Sequence, residues 1–338
     1  MGYEAFRPLL FRLDPERAHR WTLAGLEALS RLGPCNPLRR SPCGREVTVM
    51  GLGFPNPVGL AAGLDKNGDY IAGLAALGFG FLELGTVTPR PQAGNPPPRL
   101  FRLPEAEALI NRMGFNNKGV DHLVERIAAR RYPGVVGVNI GKQRETPVEE
   151  ALADYLACLR KVFPHADYVA VNVSSPNTPE LRRLQSGHHL ESLLGGLTAE
   201  RALLEQRHGR HLPLAVKIAP ELEPAALEAI ADALIRHRID AVIATNTSTS
   251  RDGVKDLPHA SEAGGLSGRP LFASSTEVVR RLARLLGGRV PIIACGGIFS
   301  VEDARRKLDA GASLIQLYTG LIYRGPGLVR ALVRGLAA

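Results

Sequence analysis

The chain has 338 residues, 45% of them apolar and 22% charged, the balance of a globular protein large enough to bury its own core. Its four cysteines, Cys35, Cys43, Cys158 and Cys295, show no C-x-x-C spacing, which speaks against a zinc site or a disulfide framework and fits a reducing compartment. The formal charge of +9 favours anionic partners, but 5% aromatic content and the lack of a recognised nucleic-acid motif argue against RNA or DNA.

Glu4, Arg7, Arg12 and Asp14 interrupt any signal-peptide core, and no apolar run reaches the roughly 18 residues of a membrane span. Phe6, Leu9, Leu10, Phe11 and Leu13 predict a short first helix. Asp14-Pro15-Glu16 predicts the start of a second: Asp as N-cap, Pro at the first helical position, an acid in the first turn. Ala18, Trp21, Thr22, Gly25, Leu26, Leu29 and Leu32 follow at helical spacing, and Gly33-Pro34 ends the run. Residues 1–45 thus read as a helical hairpin with eight Arg, four acids and no Lys. Two readings fit it: an apolar stripe packed on the rest of the protein, or a basic amphipathic surface resting on a membrane.

Residues 46–338 repeat one unit. Short apolar runs at Pro57–Ala61, Phe79–Leu84, Val135–Ile140, Tyr168–Val173, Leu214–Ile218, Ala241–Thr245, Pro291–Cys295 and Leu314–Leu317 predict eight strands. Helical patterns at Val148–Phe163, Leu190–Arg207, Pro224–Arg236, Ser274–Leu286 and Val301–Ala310 separate them. Eight alternating strand–helix units predict a parallel (β/α)8 barrel. Gly78-Phe-Gly80 lacks the third glycine of a dinucleotide fingerprint, so a Rossmann domain is not expected. The stretch from Gly85 to Tyr132 exceeds one helix and predicts a lid or binding wall.

In such a barrel the site lies at the strands' C-terminal ends. There the chain places Asp65-Lys66, Gly85-Thr86, Asn139, Asn172-Val-Ser-Ser175, Lys217, Thr245-Asn246-Thr247, Gly296-Gly297 and Tyr318-Thr319. Asn172-Val-Ser-Ser-Pro-Asn177 crowds amides and hydroxyls where a sheet has no use for them. It suits an amide-like ligand, or a polar turn before Pro176. The basic residues are 35 Arg and 7 Lys, so each Lys invites a question. Lys217 alternates to the barrel side of its strand, where it must meet an anionic ligand or a buried carboxylate, and few acids stand at the strand ends. Gly296-Gly297 and Thr319-Gly320 match the phosphate position of these barrels, and Gly264-Gly-Leu-Ser-Gly268 adds a flexible, donor-rich loop. A mononucleotide such as FMN fits this pattern. His188-His189 and His208/His211 sit in polar, Arg-rich stretches and read as solvated; no metal site is expected.

Ala61-Ala-Gly-Leu-Asp-Lys66-Asn-Gly, Gly85-Thr-Val-Thr-Pro-Arg-Pro-Gln92, Ile110-Asn-Arg-Met-Gly-Phe-Asn-Asn117, Asn172-Val-Ser-Ser-Pro-Asn-Thr178 and Gly264-Gly-Leu-Ser-Gly-Arg-Pro270 together resemble dihydroorotate dehydrogenases. The resemblance runs from Asp14-Pro-Glu-Arg-Ala-His19 to the C-terminus. The N-terminal extension and Ser175 resemble the class 2, quinone-dependent branch; class 1 enzymes lack the extension and use Cys as base.

The resemblance implies oxidation of dihydroorotate to orotate in pyrimidine biosynthesis, with FMN as hydride acceptor and a membrane quinone as final acceptor. It implies Ser175 as catalytic base. FMN would be held by Ala62-Gly63-Leu64-Asp65-Lys66, Thr86, Asn139, Asn172, Lys217, Thr245, Gly268, Gly297, Tyr318 and Thr319. Dihydroorotate would meet Lys66, Asn111-Arg112-Met113-Gly114-Phe115, Asn172, Asn177, Asn246 and Thr247. The quinone would enter near His19, Arg102 and Tyr318. The family also implies a monomer, peripheral on an anionic membrane surface at the cytoplasmic face of the cell (inner) membrane. That tips the hairpin from the packing reading to the docking one.

Overall fold

The computed structural model describes residues 3–337; Met1, Gly2 and Ala338, the outermost residues of the two predicted segments, lie outside them. Two helices open the chain, α1 (Tyr3–Arg12) and α2 (Pro15–Ser30). The Asp14 carboxylate accepts the Arg17 N–H at 2.9 Å, so the predicted N-cap forms. A hairpin of β1 (Val47–Val49) and β2 (Leu52–Phe54) follows.

All eight predicted barrel strands form: β3 (Val58–Leu60), β4 (Phe81–Val87), β7 (Val135–Ile140), β8 (Tyr168–Asn172), β9 (Leu214–Ile218), β10 (Ala241–Ala244), β12 (Ile292–Cys295) and β13 (Leu314–Leu317). They close a parallel barrel in chain order, with β13 paired back onto β3. The period of two sorts their side chains. Leu82, Val138, Val171, Val216, Val242 and Ile315 face outward into the main core under the helices. Phe81, Tyr168, Ala170, Ala215, Ile243, Ile293 and Leu314 fill the barrel itself. Gly137 leaves the space that the Tyr168 ring occupies. Below, the β1–β2 hairpin stoppers the barrel, with Phe54 edge-on to Phe81 at 5.2 Å between ring centres.

Around the barrel run α3 (Ile71–Ala75), α4 (Val120–Ala128), α5 (Ala151–Val162), α6 (Gly187–His208), α7 (Pro224–Arg236), α8 (Leu271–Leu286), α9 (Val301–Asp309), α10 (Thr319–Arg324) and α11 (Gly327–Gly335). The excursion after β4 forms β5 (Leu100–Leu103) and β6 (Ala108–Asn111). One expectation is corrected here. The Gly264–Gly268 segment is not a flexible loop: Gly265–Gly268 is β11, antiparallel to β6 from Gly265 opposite Asn111 to Gly268 opposite Ala108. Its backbone groups are spent on a ladder, and the resulting three-stranded sheet walls the barrel mouth.

The hairpin is held at its edges. The Tyr3 hydroxyl donates to Ile322 O at 2.6 Å, Arg99 pairs with Glu16 at 2.6 Å, and Gly73 N–H donates to the Glu27 carboxylate at 2.8 Å. Yet α1 buries no residue fully, and α2 buries only Ala18 and Leu23. Phe6, Leu9, Trp21 and Leu32 remain 51–60% exposed.

Candidate active site

The barrel mouth opens into a cavity whose floor is a buried polar network. β4 turns Glu83 inward between Phe81 and Gly85, and the carboxylate has no exposed surface. Asn139 donates to Glu83 Oε1 at 2.9 Å, Tyr168 donates to Oε2 at 2.9 Å, and Gln316 donates to Oε2 at 2.6 Å. Lys217 Nζ stands 3.9 Å from Oε1. Burial, then the Glu83 charge, pushes the Tyr168 phenol well above its ordinary range, so it stays a donor. Lys217 therefore has a carboxylate partner and also lines the cavity. The two sequence readings of this lysine are not exclusive. Glu83 is the residue the sequence reasoning missed; its signal was one acid on the inward side of an apolar strand.

Above the floor, Asn172 donates to Thr86 Oγ1 at 3.0 Å and to Asn139 Oδ1 at 3.2 Å. Asn246 donates to Asn172 Oδ1 at 3.3 Å and to Ser174 Oγ at 3.0 Å. Asn177 donates to Asn111 Oδ1 at 3.1 Å. The four asparagines come from four separate loops or strands and line one cavity. Ser175 is buried at the same wall, and its Oγ accepts the Asn177 N–H at 3.2 Å. The turn reading of Ser175 thus describes the bond its hydroxyl accepts from the Asn177 backbone, while the residue also lines the cavity. Ser174 turns instead to Asn172 and Asn246.

Ala62, Gly63, Lys66, Thr245, Thr247, Met113, Gly114 and Phe115 complete the upper walls. Lys66 Nζ donates to Gly63 O at 2.9 Å, and burial brings its pKa down to about 8. Gly268, Gly297, Tyr318 and Thr319 form the far end, where Ser267 and Thr319 share a hydroxyl contact of 2.8 Å.

Other predicted residues lie elsewhere. Asp65 faces its own turn, where its carboxylate accepts the N–H groups of Asn67, Asp69 and Tyr70 at 2.8–3.3 Å. Burial raises its pKa to about 6. Arg112 points away from the cavity to Glu262 at 2.5 Å and lies over the Phe101 ring. Asn139 sits in the floor network behind the lining residues. Leu64 faces a different cavity. Among the described residues no cluster of His, Cys, Asp or Glu could hold a metal.

That second cavity, about 370 Å³, lies between hairpin and barrel and is lined mainly by apolar groups such as Phe6, Leu10, Phe11, Leu64 and Leu109. His19 and Arg102 stand in its wall. Burial, helped by the Lys66 charge, lowers the His19 pKa to about 3, which keeps the ring neutral. Arg102 donates to Leu13 O at 2.8 Å and caps the Phe11 ring at 4.6 Å. Tyr318 belongs to both cavities and separates them.

The barrel-mouth site suits a flavin. Its buried floor presents Lys217, Thr86, Asn172 and Gln316, and among the described residues Gln316 Oε1 has no hydrogen-bond partner. A flat ring system with donors and acceptors along one edge matches that set. The glycine end, with backbone N–H groups beside α10, matches a phosphate.

The sequence profile of the dihydroorotate dehydrogenase family matches residues 45–338. The chain is 63% identical over 339 residues to the dihydroorotate dehydrogenase (quinone) of Methylococcus capsulatus, covering 100% of both chains. It is 60% identical over 337 residues to that of Thiobacillus denitrificans, again covering 100% of both. Among solved structures, DHODH of Eimeria tenella in complex with ferulenol superposes with a TM-score of 0.88 at 39% identity, over 96% of this chain and 90% of that one. Its ligand-free form gives 0.87 at 40%, over 96% and 94%. The chain belongs to the flavin-dependent dihydroorotate dehydrogenase family, in its quinone-dependent branch.

Proposed function

We propose that the chain oxidises dihydroorotate to orotate at the barrel mouth, with FMN held there, and passes the electrons to a membrane quinone through the hairpin cavity. One observation carries this reading: a polar cavity containing Ser175, Lys66 and four asparagines shares the Tyr318 wall with an apolar cavity under α1 and α2.

Dihydroorotate is a cyclic diamide with a carboxylate. Asn111, Asn172, Asn177 and Asn246 can pair with its amide edges, and the Lys66 ammonium with its carboxylate. An anionic ligand beside Lys66 favours the charged amine, against the burial that lowers its pKa. The Ser175 oxygen takes the C5 proton. Serine is a weak base, and the Asn177 N–H directed at its Oγ stabilises the charge that builds there. Lys217, anchored by Glu83, keeps an ammonium at the cavity floor against negative charge gathered there on reduction. FMN, when bound, supplies the acceptor for the C6 hydride and relays electrons to quinone. Tyr318, its pKa raised to about 12 by burial, stays a neutral phenol between the two cavities.

Residues 1–45 form the quinone and membrane-docking unit, and residues 46–338 the catalytic barrel. Support comes from the exposed Phe6, Leu9, Trp21 and Leu32, together with the hairpin's eight arginines. Among the described residues no helix is long and apolar enough to cross a membrane; the docking proposed is peripheral, at the cytoplasmic face. The working unit is a monomer.

The test is the identity and amount of released cofactor. Mild denaturation of the purified yellow protein is expected to free FMN, about one per chain for a single barrel site. Release of FAD, or a colourless protein that takes up no added FMN, contradicts the reading.

A further inference from the structure

Lys307 lies on α9 with no exposed surface. Its ammonium donates to Ser275 Oγ on α8 at 2.6 Å and lies 3.4 Å from Phe272 O. It also stands 5.0 Å from the centre of the Phe272 ring. Among the described residues no carboxylate pairs with it. Asp303, one turn earlier, is committed to the Phe299 N–H at 2.9 Å. Burial brings the Lys307 pKa down to about 7. A buried ammonium with only neutral partners is costly unless an anion lies nearby.

The geometry shows where that anion would sit. Ser275 Oγ lies 2.7 Å from Leu271 O, 3.2 Å from Phe272 O and 3.3 Å from Gly296 O, three acceptors for one proton. The Gly296 carbonyl therefore faces the Lys307–Ser275 pair. A planar trans peptide turns the next N–H, that of Gly297, to the opposite side, where Gly297 lines the barrel-mouth cavity. Among the described residues no carbonyl accepts that N–H. Neither glycine tolerates a side chain here. Gly296 has φ +114° and its Cβ would meet Ser275 Oγ at 2.9 Å; Gly297 has φ +75° and would meet Phe272 Cα at 2.5 Å.

We propose that Lys307 is a positioning residue for the cofactor's phosphate. From behind the Gly296–Gly297 turn it fixes that peptide through Ser275 and sets a positive charge against the anion on the other side. The proposal rests on the FMN reading. Riboflavin, which shares the ring system but lacks the phosphate, separates this role from a purely structural one. A packing defect weakens both flavins alike; loss of phosphate recognition weakens FMN alone.

The experiment strips the full-length protein of flavin and titrates it with FMN and with riboflavin, following flavin fluorescence. The wild-type protein is expected to prefer FMN. Lys307→Met is expected to cut that preference about 10-fold, the order of a unit charge acting through one peptide group, with riboflavin binding unchanged. A wild-type preference that survives Lys307→Met undiminished overturns the proposal. If the methionine variant does not fold, Ser275→Ala decides, because it keeps the ammonium but cuts its link to Gly296. A lowered FMN-to-riboflavin ratio supports the proposal and a wild-type ratio overturns it. A wild-type protein that binds both flavins alike overturns the FMN reading itself, and this proposal with it.

Discussion

Ser175→Ala is expected to retain its flavin and to reduce it with dihydroorotate about 10²–10⁴-fold more slowly, the usual worth of a positioned base. The substitution removes one oxygen and little volume. Among the described residues Ser175 makes one protein hydrogen bond, as acceptor from the Asn177 N–H, so the loop should keep its shape. The neighbouring Asn172, Ser174 and Asn246 hold one another independently of it. Orotate affinity should change little, which separates a chemical role from a binding one. The measurement is anaerobic rapid mixing with dihydroorotate, read at the flavin band. A variant that bleaches at the wild-type rate leaves Ser175 as a turn residue and moves the base elsewhere.

The second large effect is a separation of half-reactions. Deleting residues 1–45 removes Phe6, Leu10, Phe11, Ala18, His19 and Thr22 from the apolar cavity but no side chain from the barrel-mouth cavity. Quinone reduction and liposome binding should be abolished. Flavin reduction by dihydroorotate should persist, because Ser175, Lys66 and the four asparagines all lie in the barrel. Binding of the intact protein to anionic liposomes should weaken as salt screens the arginines. The cut exposes Leu64, Leu74 and Leu109, so circular dichroism and flavin content must first show an intact barrel. Normal quinone turnover by such a barrel would return the hairpin to a packing role.

Much of this arrangement was legible in the residues. The barrel strands are covered on both faces, so they stand out as short apolar runs between helical patterns. The hairpin announced itself through the Asp14-Pro15 cap. What stayed hidden depends on contacts between distant segments. The partner of Gly265 in β11 is Asn111, and nothing local in a glycine-rich stretch points to that pairing. Glu83 passed unnoticed inside an apolar strand, although its alternation with Phe81 places both in the barrel. Asp65 and Arg112 sit in motifs from which Gly63, Lys66, Asn111 and Met113 line the cavity. Their side chains turn to a local turn and to Glu262, because neighbours in sequence need not share a direction. Lys307 reads as a solvent lysine in a charged helix. It shares a face with Ala304, three residues earlier, which is also buried.

The central claim is that one chain joins two half-reactions at two cavities separated by Tyr318. The most direct measurement follows the flavin spectrum of the full-length protein in one sealed, anaerobic cuvette. Dihydroorotate should bleach the flavin band and yield orotate, and a soluble quinone added next should restore the band in full. Flavin that dihydroorotate does not bleach, or that stays bleached when quinone is added, contradicts the account.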